Sequence, residues 1–438
     1  MWETISNAFK IPELKKRILF TFGMLAIYRL GAYIPTPGVD PASLDQLMGD
    51  GGVFGILNMF SGGALKRFSI FALGIAPYIN ASIIMQLLIY VVPALERIAK
   101  EDDGRKKITQ YTRYGTIIIG SIQALGMSYM LRNYKVLTPD MAENFGYFAI
   151  ISVLTLTAGT SLIMWIGELI TERGIGNGIS LLIFAGIIAA FPSAVVSLYR
   201  QLNTDPAAIP KAIILCVLAV LVIAAIVFMQ EGTRKIPVQY AKRVVGRKIY
   251  GGQSTHIPLR INQAGVIPVI FASSILLFPG MIIGMVQKNF NLTGFARTLV
   301  EKINAWLAYG SPFYIVVYTL LIVFFAYFYT AITFNPKDIS DNMKKYGGFI
   351  PGIRPGKWTT EFIEHVLVRV TLAGAVFLAA ISILPIFLIK WMHVPFYFGG
   401  TGLLIVVGVG IDTMKQIESH MLTRHYEGFM KKNKILKM

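Results

Sequence analysis

Apolar stretches long enough to cross a bilayer alternate with polar joints along nearly all of the 438 residues. A spanning helix needs about 20 mostly apolar residues, because hydrocarbon offers no partner to an unpaired backbone N–H or C=O. Ten stretches qualify: Ile18 to Ile34, Phe68 to Val92, Gly115 to Leu131, Gly146 to Ile170, Gly178 to Tyr199, Ala212 to Met229, Gln263 to Val286, Phe313 to Phe334, Val370 to Trp391 and Thr401 to Ile417. The first is short and carries Arg29. Five spans precede the joint Arg200 to Lys211 and five follow it, which predicts an all-α polytopic membrane protein with ten transmembrane helices in two five-helix halves. The expected halves are residues 1–199 and 200–418, followed by a basic tail, 419–438. An odd number of spans per half turns the second half over in the membrane, so a duplication would be an inverted repeat. The count alone suggests it, since residue-level similarity between the halves is not visible.

Charge then orients the spans. The chain has 41 Lys and Arg against 23 Asp and Glu, a net charge of +18 that in a soluble chain would suggest nucleic acid. With the N-terminus inside, 30 of the basic residues fall in cytoplasmic parts, 10 in outer loops and Arg29 in the first span. That asymmetry predicts both termini in the cytoplasm. Cys216, the only cysteine, excludes an intrachain disulfide and reads as a small packing residue. Met1 to Arg17 is polar and amphipathic and lacks a cleavage-site pattern, so no removed signal peptide is expected.

The joints are uneven. Two large hydrophilic insertions, 230–262 and 335–369, lie on the predicted cytoplasmic side. In the first, Arg234 to Lys248 alternates apolar and polar residues around Pro237, which suggests a strand or hairpin with a basic tip. In the second, Tyr346 to Gly356 is rich in turn formers and presents Arg354 between Ile353 and Pro355. Such charge near a bilayer can bind anionic lipid. The length, Gly/Pro structure and clustered Arg of these loops favour docking of a large acidic partner, protein or RNA. On the outer side Gly55 to Ala64 is too short to cross, and glycines at both ends supply hinges. It is expected as a half-helix that either rests on the outer surface or re-enters and closes something.

Chemistry is sparse. Arg29, Glu168 and Asp412 lie toward span ends, where snorkelling or a structural pair explains them. No His pair, HExxH, P-loop or CxxC occurs, and the five histidines sit in or beside loops. Neither catalysis nor metal binding has a visible site, so no enzyme activity and no cofactor is expected. Ile75 and Ile79 share a helix face, as do Ile183 and Ile187, and Ile267 and Ile270 form a similar pair. On composition alone these are ordinary packing or lipid-facing residues. Asn80, Ser82, Gln86, Ser273 and Ser274 either bond neighbouring helices or line a wet path.

Seven motifs carry a resemblance: Gly74-Ile-Ala-Pro-Tyr-Ile-Asn-Ala-Ser82, Gly174-Ile-Gly-Asn-Gly-Ile-Ser180, Tyr240-Ala-Lys-Arg243, Gln253-Ser-Thr-His-Ile-Pro-Leu259, Gly265-Val-Ile-Pro-Val-Ile-Phe-Ala-Ser-Ser274, Gly348-Phe-Ile-Pro-Gly-Ile-Arg-Pro-Gly356 and Phe398-Gly-Gly-Thr401. In this order they resemble the bacterial SecY family, the channel subunits of the general protein translocase. The resemblance implies a clamshell of the two halves around a central pore, in the inner membrane. Its waist would be a ring of Ile75, Ile79, Ile183, Ile187, Ile270 and Ile405. The half-helix Gly55, Ile56, Leu57, Asn58, Met59, Phe60, Ser61, Gly62, Gly63 and Ala64 would be a plug. Asn80, Ser82, Ser273, Ser274 and Phe278 would line a lateral gate to lipid. Lys242, Arg243, Arg247, Lys248 and Arg354 would contact the SecA motor ATPase or a translating ribosome. Further implied partners are the SecE and SecG subunits, unfolded precursor polypeptides with signal sequences, and membrane lipids. The competing reading is an ion-coupled small-molecule secondary transporter, opposed by the lack of mid-membrane charge and by the heavy loops.

Overall fold

The computed structural model describes residues 9, 11–44, 58, 61–204, 209–240, 243–245, 248–250, 254–276, 279, 295–392 and 401–435. Each of the ten apolar stretches contains a helix: α1 (Pro12–Gly31), α2 (Ala76–Val91), α4 (Gly104–Asn133), α6 (Phe145–Arg173), α7 (Gly178–Thr204), α8 (Ile209–Glu231), α9 (Ile267–Leu276), α11 (Pro312–Thr333), α13 (Lys357–Met392) and α14 (Thr401–Ile435). Shorter helices fill the joints: α3 (Pro93–Lys100), α5 (Pro139–Glu143), α10 (Phe295–Leu307) and α12 (Pro336–Lys345). Among the described residues, six helical runs are long and apolar enough to cross a membrane, or seven if α2 and α3 count as one span. That pair is bent by 101° where Pro93 follows Val92. In the first half α2, α4 and α6 pack side by side with α1 and α7 against α6, and in the second α11 packs on α13 and α8 on α14. The halves meet where α7 packs on α14.

The second span departs from its expected bounds. Phe68 to Ile75 is apolar but not helical, because its backbone bonds elsewhere: Thr36 N–H donates to Phe68 C=O (2.8 Å) and Ile70 N–H to Ile34 C=O (3.0 Å). The segment lies across α1 and α6 at two glycines. The Phe71 ring takes the space a side chain at Gly31 would fill, and a Cβ at Gly159 would stand 1.8 Å from the Ile70 carbonyl oxygen. The seventh span is helical over Ile267–Leu276, and most of its remaining expected length, 277–286, lies outside the described residues. The ninth starts earlier than hydropathy suggests, so the last third of the 335–369 loop is the first turns of α13. The tenth continues as one helix through most of the expected tail, to Ile435.

Both large loops emerge at one end of the bundle and build a single small sheet there. β1 (Thr233–Tyr240) and β4 (Ser254–Arg260) pair antiparallel with Ile236 opposite Ile257, the hairpin expected from the alternation. Between them β2 (Arg243–Val245) and β3 (Lys248–Tyr250) pair as a second hairpin. β5 (Gly348–Phe349), from the other loop, adds to the free edge of β1, with Tyr240 opposite Gly348, giving the order β4-β1-β5. Period-two alternation turns Ile236 and Val238 to one face, where they bury against Met343, Ile350 and Ile363.

Gly159→Ala is expected to cost about 1–3 kcal/mol, because the Ile70 carbonyl has to move. Thermal unfolding in detergent reads it as a lowered midpoint; an unchanged midpoint would show that the Phe68 to Ile75 segment yields freely.

Candidate functional site

Ile75 caps the N-terminus of α2, and Ile79 N–H donates to its carbonyl at 3.1 Å. The two side chains therefore stand one turn apart on the same face. Ile183 and Ile187 repeat this spacing on α7, Ile270 lies on α9 and Ile405 on α14. All six are buried, none more than 6% exposed, and all belong to one hydrophobic cluster that draws on both halves. The expected pair Ile267 and Ile270 splits, with Ile267 only partly buried at the edge of the cluster.

On one side the cluster meets the end of the glycine-rich segment. Of its expected ten residues, Asn58, Ser61, Gly62, Gly63 and Ala64 are described, whereas Gly55, Ile56, Leu57, Met59 and Phe60 lie outside the described residues. Ala64 is fully buried within the isoleucine cluster. Gly62 has φ +66°, and a Cβ there would stand 2.9 Å from the Cα of Gly186, which sits between Ile183 and Ile187 on α7. Only glycine meets both conditions. From the last turn of α1, Tyr28 Oη donates to Ser61 C=O (3.4 Å) and the Arg29 guanidinium donates to Gly62 C=O. Asn58 folds the exit: its carbonyl accepts from Gly63 N–H (2.8 Å) and its Oδ1 from Lys66 N–H (3.0 Å). Tyr28 and Arg29 had no sequence signal beyond a charge at the end of a span. Glu168 is likewise held by a pair, its carboxylate taking Arg113 Nε at 3.1 Å and Nη2 at 2.6 Å.

On the other side a polar cavity of about 450 Å³ opens toward the loop-bearing end. Its lining includes Ser180, Ile267 and Val409, which lie three or four residues, one helical turn, beyond Ile183, Ile270 and Ile405 on three helices. Arg260, Asp412 and Lys415 bring charge to its walls, and Lys415 Nζ pairs with Glu231 at 2.8 Å. Asp412, ambiguous in sequence, is thus a cavity residue. Gln230 is 6% exposed, and its Nε2 has no partner among the described residues. The floor includes the turn between α6 and α7, where Gly176 (φ +86°) donates its N–H to Gln416 Oε1 on α14 at 2.6 Å, and Asn177 Oδ1 caps the Ile179 and Ser180 amides.

Asn80, Ser273 and Ser274 are buried, each at most 9% exposed, and Ser82 is half-buried. Ser273 Oγ donates back to Ile270 C=O (2.9 Å), and Ser82 Oγ accepts from Gln86 Nε2 (3.3 Å). Phe278 lies outside the described residues. α2 and α11 are closed over each other by Tyr90 edge-on to Phe328, ring centroids 5.7 Å apart. In the loops, Lys242 and Arg247 lie outside the described residues, as do the side chains of Arg243 and Lys248 on β2 and β3. Arg354 is exposed between two positive-φ glycines, Gly352 and Gly356. Its loop is pinned by Thr359 Oγ1 donating to Arg354 C=O and Ser340 Oγ to Gly356 C=O, both at 2.9 Å.

A multi-pass helical bundle whose halves close on an aliphatic cluster, between the glycine-rich segment held by α1 and a polar cavity, is a membrane channel by fold and site. Residues 69–414 match the SecY family, and the chain belongs to that family. It is 47% identical to the protein translocase subunit SecY of Streptomyces scabiei over 98% of this chain and 100% of that protein. It is 48% identical to the protein translocase subunit SecY of Pseudomonas aeruginosa, over 96% and 94% of the two chains. The fold matches a structure described as showing that the SecY plug domain stabilises the closed state of the translocation channel and maintains a membrane seal, with TM-score 0.66, 19% identity and 96% and 97% coverage. It also matches Sec61 in the canine ribosome–channel complex, with TM-score 0.61, 17% identity and the same coverages.

Arg29→Ala removes the charge-assisted hydrogen bond to Gly62. A loss of about 1.5–3 kcal/mol, the usual range for such bonds, predicts at least tenfold faster hydrogen exchange at Gly63 and Ala64. Unchanged exchange would mean that the α7 contact alone holds the segment.

Proposed function

We propose that this chain is the protein-conducting channel of the general secretory pathway, passing unfolded polypeptides across the bacterial inner membrane and releasing membrane segments sideways into lipid. The observation that carries this reading is the convergence of Ile75, Ile79, Ile183, Ile187, Ile270 and Ile405, from four helices of both halves, on one buried cluster. Aliphatic side chains at a narrow point expel water and so bar ions, yet they part around an extended chain because they hold one another by non-directional contact. Residues 55–64 act as the plug, and the α7 and α1 contacts of Gly62 support a seated position against the ring. The halves 1–199 and 200–418 are an inverted pair that opens as a clamshell, and the polar cavity receives the incoming chain before the ring.

Asn80, Ser82, Ser273, Ser274 and Phe278 form the lateral gate. Their polarity lets the seam hydrate, and the Tyr90–Phe328 contact is its latch. The sheet-bearing end is cytoplasmic, with both termini, and there Lys242, Arg243, Arg247, Lys248 and Arg354 meet SecA or a ribosome. The likeness to channels solved on ribosomes, canine Sec61 and yeast Ssh1, supports the ribosome as a partner. SecE and SecG complete the complex. The channel hydrolyses nothing itself: the motor, ribosomal elongation or the membrane potential supplies the work.

A photoreactive residue at position 79, then 405, tests the path in vesicles with SecA, ATP and a trapped precursor. Crosslinks to the mature part of the precursor are expected; crosslinks from lipid-facing controls alone would return these isoleucines to packing. Ile405→Asn is expected to wet the ring and raise ion leak, whereas unchanged leak removes Ile405 from it. Arg354→Glu is expected to abolish motor-driven export while the folded protein stays in the membrane, and normal export would refute the docking role.

A further inference from the structure

A second cavity, of about 270 Å³, lies at the loop-bearing end between α11, α12 and α13, away from the isoleucine cluster. Three features of its wall point to a ligand. Thr330 is 3% exposed, and its hydroxyl has no hydrogen-bond partner among the described residues, although a helical threonine ordinarily returns its hydroxyl to the preceding turn. A buried hydroxyl without a partner is a standing cost that a bound acceptor would remove. Lys337 and Glu364, of opposite sign, are exposed on the lining, and neither enters an ion pair among the described residues. Below the cavity the surface turns apolar at helical spacing. Leu320 and Phe324 continue the face of Tyr327 down α11, while Leu372 and Val376 continue that of Val368 down α13, and all four are exposed. Tyr327 Oη donates to Val368 C=O at 3.1 Å and ties the two helices together where polar lining gives way to apolar stripe.

We propose that this cavity binds the headgroup of a zwitterionic phospholipid carrying a primary ammonium, with its acyl chains along the α11 and α13 stripes. Lys337 faces the phosphate, Glu364 accepts from the ammonium, and the Thr330 hydroxyl donates to a phosphate or ester oxygen. The charge pattern selects among lipids. The quaternary ammonium of phosphatidylcholine cannot donate to Glu364, and phosphatidylglycerol offers that carboxylate no cation.

Native mass spectrometry of the delipidated full chain in detergent, titrated separately with phosphatidylethanolamine, phosphatidylcholine and phosphatidylglycerol, tests this. One phosphatidylethanolamine is expected to be retained about tenfold more tightly than either other lipid, the scale of one charge-assisted hydrogen bond. Glu364→Gln should erase that preference, Lys337→Gln should weaken all three lipids, and Thr330→Val should weaken phosphatidylethanolamine several-fold. Glu361→Gln, an exposed neighbour paired with Lys357, should change nothing. The first two sites are exposed and the third change is nearly isosteric, so the variants should fold, which an unchanged unfolding midpoint in lipid-free detergent checks. Equal retention of the three lipids, preference for phosphatidylglycerol, or selectivity that survives Glu364→Gln would overturn the proposal, the second outcome indicating a merely electrostatic lipid contact and the first a surface covered by another occupant.

Discussion

Ile75 and Ile79 at the start of α2 and Ile183 and Ile187 of α7 join Ile270 and Ile405 across the boundary between the two halves, using only aliphatic surface. Side chains of this kind neither donate nor accept, so the contact is held by packing and by the exclusion of water. This constraint shapes what surrounds it. Ser180, one turn from Ile183, lines the cavity, and Ser273, three residues beyond Ile270, returns its hydroxyl to the Ile270 carbonyl. A contact without directional bonds has no preferred partner, so its members can shift against one another without losing a specific bond.

Around this contact the bundle is brought close by missing side chains. α6 receives the Phe68 to Ile75 segment at Gly159, and the α6–α7 turn folds so tightly that a Cβ at Gly178 would stand 1.9 Å from the Gly167 carbonyl oxygen. Between helices in lipid, where apolar surface alone gives no preference for protein over hydrocarbon, such close backbone approach is a main source of association. The loop-bearing end is built differently. There, water-facing strands alternate around Ile236 and Val238, and the ordinary hydrophobic effect returns as the organising force.

Much of this was legible from the chain. Ten hydropathy maxima marked ten helices, because a 20-residue apolar run has few alternatives in lipid, and the alternation around Pro237 announced β1. What failed to show were the long-range pairings. Nothing local in Phe68 to Ile75 says that its backbone bonds to residues 34–36 instead of to itself. β5 is two residues long and gains its identity from the edge of β1, more than 100 positions away. Arg29 reads as a snorkelling charge until the segment around Gly62 folds back to it. The isoleucines themselves were indistinguishable by composition from packing residues; their i, i+4 spacing placed them on faces, and only the motif resemblance grouped those faces.

Tyr28 and Arg29 both hold main-chain carbonyls, those of Ser61 and Gly62. A carbonyl is the same whatever residue bears it. These two bonds depend on the path of the backbone, which Gly62 brings to Gly186 without a Cβ in the way, while Asn58 Oδ1 and Ser61 Oγ accept from the Lys66 and Leu65 amides. A substitution that leaves the backbone path unchanged would leave both bonds in place, whereas any Cβ at Gly62 would meet the Gly186 backbone.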